Sequence, residues 1–189
     1  MDAFLTSTVL VALAEIGDKT QLLALVLAAR FRRPVPVIMG ILVATLANHG
    51  LAALLGASAA AWLQGPWFSF LVALSFIVMG LWTLIPDKLD EDAESKATGN
   101  AFLTTTVAFF IVEMGDKTQL ATVALGARFD ATLLVVAGTT LGMLLANAPV
   151  VVLGEKLLRV VPMKAVHIAA ALLFIAIGGW MLASQGLPF

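Results

Sequence analysis

The chain is predicted to be an all-α integral membrane protein of six transmembrane helices, arranged as two inverted three-helix repeats. Composition gives the class: of 189 residues, 61% are hydrophobic and 12% charged, against about 25% charged in soluble domains. Apolar runs exceed the ~20 residues that cross a bilayer core. The third observation is a repeat. Sliding the chain by 98 positions lays residues 3–31 on 101–129 without a gap, and 17 of those 29 positions are identical.

The six spans fall at 3–29, 36–62, 67–86, 100–127, 132–154 and 163–184, each an apolar run of helix length. The first has no basic stretch before it and no cleavage site after it, so it reads as a span and not as a removable signal. Breaks fall at 30–34, 64–66, 87–99, Asp130 and 155–162, and Pro34, Pro36, Pro66, Pro86 and Pro162 sit at them, where a missing amide donor is tolerated. Pro149 lies inside span five, just after Asn147 and Ala148; it predicts a kink or freed carbonyls that other parts of the protein must satisfy. Trp62, Trp67, Trp82 and Trp180 stand near span ends as interfacial anchors.

The same offset pairs Gly40 with Gly138, Ala44 with Gly142, Phe76 with Phe174, Gly80 with Gly178 and Trp82 with Trp180, while Asn48 meets Asn147 with a one-residue slip. The expected units are residues 1–86, an acidic cytoplasmic linker 87–99, and residues 100–189. Three spans per copy is an odd number, so the second copy enters from the opposite face, as in inverted-repeat transporters with a midplane site. Loops one, three and five carry Arg30, Arg32, Arg33, Lys88, Lys96, Lys156, Arg159 and Lys164, against Arg128 on the other side. The positive-inside rule puts those loops in the cytoplasm and both termini outside.

Several classes are excluded. A net charge of −1 leaves no basic footprint for nucleic acid, and the absence of cysteine removes disulfide and thiolate chemistry. No His-Glu-x-x-His or Gly-x-Ser-x-Gly pattern occurs, so the chain does not read as an enzyme and no prosthetic group is implied. The acidic linker (Asp87, Asp90, Glu91, Asp92, Glu94) lacks the glycine and terminal glutamate spacing of a calcium-binding loop and reads as solvated.

The informative residues are Glu15-Ile16-Gly17-Asp18-Lys19-Thr20 and Glu113-Met114-Gly115-Asp116-Lys117-Thr118. A charge at a span centre costs roughly 2.5–3.5 kcal/mol on insertion scales, and this chain carries the cost in duplicate. Read as continuous helix, Glu15 and Asp18 are i and i+3 and share a face, as do Glu113 and Asp116. Inverted symmetry lets the two acidic faces meet near the midplane. Carboxylates suit Ca²⁺, Mg²⁺ and Mn²⁺. Asn48, Asn147, Thr20, Thr118, Gln21 and Gln119 are further candidate oxygen donors, and Gly17 and Gly115 allow close approach.

Four carboxylates and two lysines sum to −2, which one divalent cation or two protons neutralise. Crowded buried carboxyls titrate as a coupled cluster, so metal and protons compete for the same oxygens. The expectation is divalent cation/proton antiport by alternating access; a passive channel and an intramembrane enzyme are the alternatives. Lys19 and Lys117 balance charge, either by pairing with a carboxylate or by replacing the departing ion. His49 neighbours Asn48, but adjacent helical residues point about 100° apart, so a packing or proton-relay role is expected for it. His167 reads as interfacial and Met114 as an apolar contact.

The twofold Glu-x-Gly-Asp-Lys-Thr signature in two three-helix repeats resembles the small membrane family of eukaryotic Golgi manganese/calcium transporters and bacterial manganese exporters. The resemblance covers nearly the whole chain. It implies Mn²⁺ or Ca²⁺ transport against protons and, in a bacterial-sized chain with a short linker, efflux across the inner membrane. By motif match it gives Glu15, Asp18, Glu113 and Asp116 the metal-binding role. The lipid bilayer, divalent cations and protons are the implied partners, with homo-oligomerisation left open.

Overall fold

Two of the six expected spans are not single helices: each breaks at its charged motif. The computed structural model describes residues 2–85, 99–154, 156 and 161–185, so residues 87–98 of the expected linker lie outside the described residues. Among the described residues there are eight α-helices and no strand. They are α1 (Asp2–Glu15), α2 (Lys19–Phe31), α3 (Pro34–Trp62), α4 (Pro66–Thr83), α5 (Ala101–Glu113), α6 (Lys117–Arg128), α7 (Thr132–Leu153) and α8 (Met163–Gln185).

Helix starts follow sequence chemistry. Pro34 and Pro66 occupy first-turn positions, where no amide donor is needed, and Asn100 caps α5 by accepting from the Phe102 N–H at 2.9 Å. Pro149 stays inside a continuous α7. Nearby carbonyls are reached by side-chain amides, as Gln21 donates to Ala146 O at 2.9 Å and Asn147 to Met143 O at 3.1 Å.

Four helices, α3, α4, α7 and α8, are long and apolar enough to cross a membrane. The broken pairs have 12 to 14 residues per helix, about 18–21 Å at 1.5 Å per residue, too short alone for a hydrocarbon core of about 30 Å. The pattern of burial is that of a membrane protein. Leu5, Val35, Leu55, Leu133, Leu172 and Trp180 face outward, while Glu15, Asp18, Asn48, His49, Glu113, Asp116 and Asn147 are buried.

At the centre, α3 packs on α5, α6 and α7, and α7 packs on α1 and α2, while α4 and α8 pack mainly on each other as an outer pair. Close approach depends on small residues. A Cβ on Gly40 would fall 2.8 Å from Phe102 O, and one on Gly138 would fall 2.5 Å from Phe4 O. These contacts are related by the 98-residue offset. The outer pair breaks the correspondence, with α8 lying against α1 but α4 against α6.

Candidate metal centre

The motif is a turn between two helices. Helix α1 ends at Glu15, Gly17 takes a left-handed φ of +86°, and Asp18 is extended at the N-cap of α2. The second copy repeats this, with Gly115 at φ +78° and Asp116 capping α6. Only glycine adopts such a φ without strain. The expected sharing of one helical face by Glu15 and Asp18, and by Glu113 and Asp116, is therefore corrected: the glutamate closes one helix and the aspartate opens the next.

Each turn is braced by the glutamine four residues on. Gly17 N–H donates to Gln21 Oε1 at 2.9 Å, and Gly115 N–H to Gln119 Oε1 at 2.6 Å. The signal for the break was in the sequence, as Gly-Asp-x-x-Gln puts a glycine stop before an N-cap aspartate with glutamine at the third helical position. Both aspartates sit at helix N-termini, where the helix dipole favours negative charge.

Three carboxylates converge. Glu15, Glu113 and Asp116 each present an oxygen, and these atoms lie within 4.8 Å of one another. The Thr118 hydroxyl sits among them, 2.7 Å from Glu15 Oε1, 2.6 Å from Glu113 Oε1 and 3.1 Å from Asp116 Oδ2. A hydroxyl has one proton to donate, so the remaining oxygens need a proton or a cation. Thr20 donates to Glu15 Oε2 at 2.5 Å.

Asp18 turns toward Lys117, whose Nζ is 3.4 Å from Asp18 Oδ1, and Lys19 Nζ is 2.8 Å from Asp116 Oδ1. Each lysine thus reaches the aspartate of the other copy, a crosswise pairing that no sequence signal foretold. Asn48 and Asn147 differ in their surroundings. Asn48 Oδ1 accepts from Gln119 Nε2 at 2.5 Å, whereas buried Asn147 Oδ1 has no hydrogen-bond partner.

His49, for which a packing or proton-relay role is expected, is buried beside the carboxylate cluster. Helices α5, α6 and α7 surround α3, so neighbouring residues on different faces are both enclosed. His49 Nε2 lies 3.8 Å from Glu113 Oε1. Met114 is mostly exposed and points away. His167 is half-buried, and its Nε2 lies 3.0 Å from Ile16 O, over the first turn.

A helical bundle with several apolar membrane-length helices and a buried carboxylate cluster defines a membrane protein built to handle cations. The chain belongs to the divalent cation/proton antiporter GDT1 family, whose model matches residues 3–91 and 101–187. It is 49% identical over 176 residues to a Vibrio cholerae protein named "Putative manganese exporter", covering 93% of this chain and 88% of that one. It is 29% identical over 216 residues to the Arabidopsis thaliana "GDT1-like protein 5", covering 94% of each. No solved structure matches the chain.

Proposed function

We propose that the protein exports Mn²⁺, with Ca²⁺ as the competing cargo, by exchange for protons at the centre formed by Glu15, Glu113 and Asp116. The observation that carries this is the meeting of three buried carboxylates from two separate turns around one hydroxyl. Such a cluster is stable when charge-neutralised, and a divalent cation or protons can do so in turn. Thr118 and the unpartnered Asn147 Oδ1 are the additional oxygen donors. Gln21, Gln119 and Asn48 brace the turns, and Asp18 is held by Lys117. Manganese is favoured over calcium because the Vibrio cholerae relative carries manganese in its name.

Residues 1–86 and 100–189 act as two oppositely oriented three-span repeats, with α1–α2 and α5–α6 each crossing as a broken helix. Discontinuous helices that meet near the midplane are a recurring transporter device. The unequal packing of α4 and α8 supports the two repeats being caught in different conformations, as alternating access requires. The excess of lysine and arginine in the expected cytoplasmic loops puts both termini outside the plasma membrane. The test is Mn²⁺ and Ca²⁺ flux into inside-out vesicles with and without a pH gradient. Proton-driven accumulation of either ion supports the proposal. Flux that merely equilibrates would indicate a channel, and no flux of either ion would remove the transport reading.

A further inference from the structure

We infer that His49 is a direct nitrogen ligand of the transported ion and sets the centre's preference for Mn²⁺ over Ca²⁺; the inference rests on the proposed antiport and names what makes it selective. His49 is fully buried in the middle of α3, and neither ring nitrogen has a hydrogen-bond partner. A buried polar group left unpaired costs about 1–3 kcal/mol, so an unpartnered imidazole beside a carboxylate cluster calls for a partner of its own. Glu113 Oε2 is also buried without a hydrogen bond. His49 thus brings an uncommitted nitrogen to the edge of the cluster of Glu15, Glu113 and Asp116, next to Glu113, whose Oε1 accepts from Thr118 and whose Oε2 is uncommitted.

The geometry suits a shared ion better than a direct bond. His49 Nε2 stands 3.8 Å from Glu113 Oε1, beyond hydrogen-bonding range. Two ligand atoms at about 2.2 Å from one cation, between the Mg²⁺ and Ca²⁺ ranges, are about 3.8 Å apart when they subtend about 120°. Helix α3 has no better donor to offer here, because Asn48 Oδ1 is already engaged by Gln119. The chemistry follows from the atom type. Calcium takes shells of oxygen, so an imidazole adds little to its binding, whereas a first-row transition ion accepts nitrogen. With His49 the centre is a mixed nitrogen–oxygen site; without it the centre is all oxygen.

The chain has two histidines, which makes a spectroscopic assignment direct. The protein, purified through a histidine-free tag, is loaded with Mn²⁺ and measured by electron spin echo envelope modulation, with and without ¹⁵N-histidine labelling. An imidazole nitrogen coupled to Mn²⁺ is expected in the wild type and in His167→Gln, and its loss is expected in His49→Gln. Mn²⁺ affinity should fall about 10- to 100-fold in His49→Gln, at least the loss seen when a ligand-orienting group is removed, while Ca²⁺ affinity changes less than about threefold. Mn²⁺ bound to the wild type without histidine nitrogen coupling overturns the inference and leaves the transport proposal standing, as does an unchanged Mn²⁺/Ca²⁺ ratio in His49→Gln. A wild type that neither binds nor moves Mn²⁺ removes both.

Discussion

Thr20 and Thr118 are equivalent by the 98-residue offset, yet they should not be equivalent in function. Thr20 touches one carboxylate, at Glu15 Oε2, whereas Thr118 stands among Glu15, Glu113 and Asp116. Valine replaces the hydroxyl with a methyl group of similar size and removes the donor. A hydrogen bond to a charged group contributes about 1.5–3 kcal/mol, and at about 1.4 kcal/mol per decade that is about 10- to 150-fold in ion affinity. In Thr20→Val, Glu15 keeps Thr118 and the other two carboxylates are untouched, so the loss should lie at or below about tenfold. In Thr118→Val the three carboxylates lose the one proton they share and the polar group standing among them, placing the loss near the upper end, about 100-fold. The assay is the KM for Mn²⁺ uptake into inside-out vesicles at matched protein content. Equal losses in the two variants, or no loss in Thr118→Val, would refute the hub role of Thr118.

Two further outcomes follow from the turns and the crossed pairs. Alanine at Gly17 or Gly115 must adopt a left-handed backbone at a cost of about 1–2 kcal/mol. A Cβ at Gly17 would also fall 2.9 Å from His167 Nε2 and Met163 Sδ, while Gly115 faces open space. Gly17→Ala should therefore lower the unfolding temperature in detergent more than Gly115→Ala does; equal shifts would contradict the unequal packing of the two turns. Lys19→Met leaves buried Asp116 without its ion-pair partner, which should destabilise toward the lower end of the about 3–5 kcal/mol for a broken buried pair, since Lys19 remains 22% exposed. Lys19→Met with Asp116→Asn should recover part of that stability. A double variant no more stable than the single would show that the pair carries no coupling.

Much of the molecule is legible in the chain. Glu15 and Glu113 stand out because charge inside an apolar run is costly, and their carboxylates do come together with Asp116. The long helices α3, α4, α7 and α8 fall where hydropathy put them, since lipid-facing surface must be apolar whatever the fold. The break at Gly17 was harder to see. An isolated glycine costs only about 1 kcal/mol in a helix, so the apolar run around it outweighed the Gly-Asp-x-x-Gln stop-and-start pattern.

The motif by itself determined that two charged segments lie within one membrane protein, because duplicated lettering and hydropathy are properties of the chain alone. Tertiary structure alone decided which of their groups meet. It sends Asp116 to the carboxylate cluster and to Lys19, turns Asp18 toward Lys117, and encloses both Asn48 and His49 although they leave α3 in different directions. The physical reason is that a residue's role depends on what packs around it. Two copies of one motif have different neighbours here, with α8 on α1 but α4 on α6, and identical lettering carries no record of that difference.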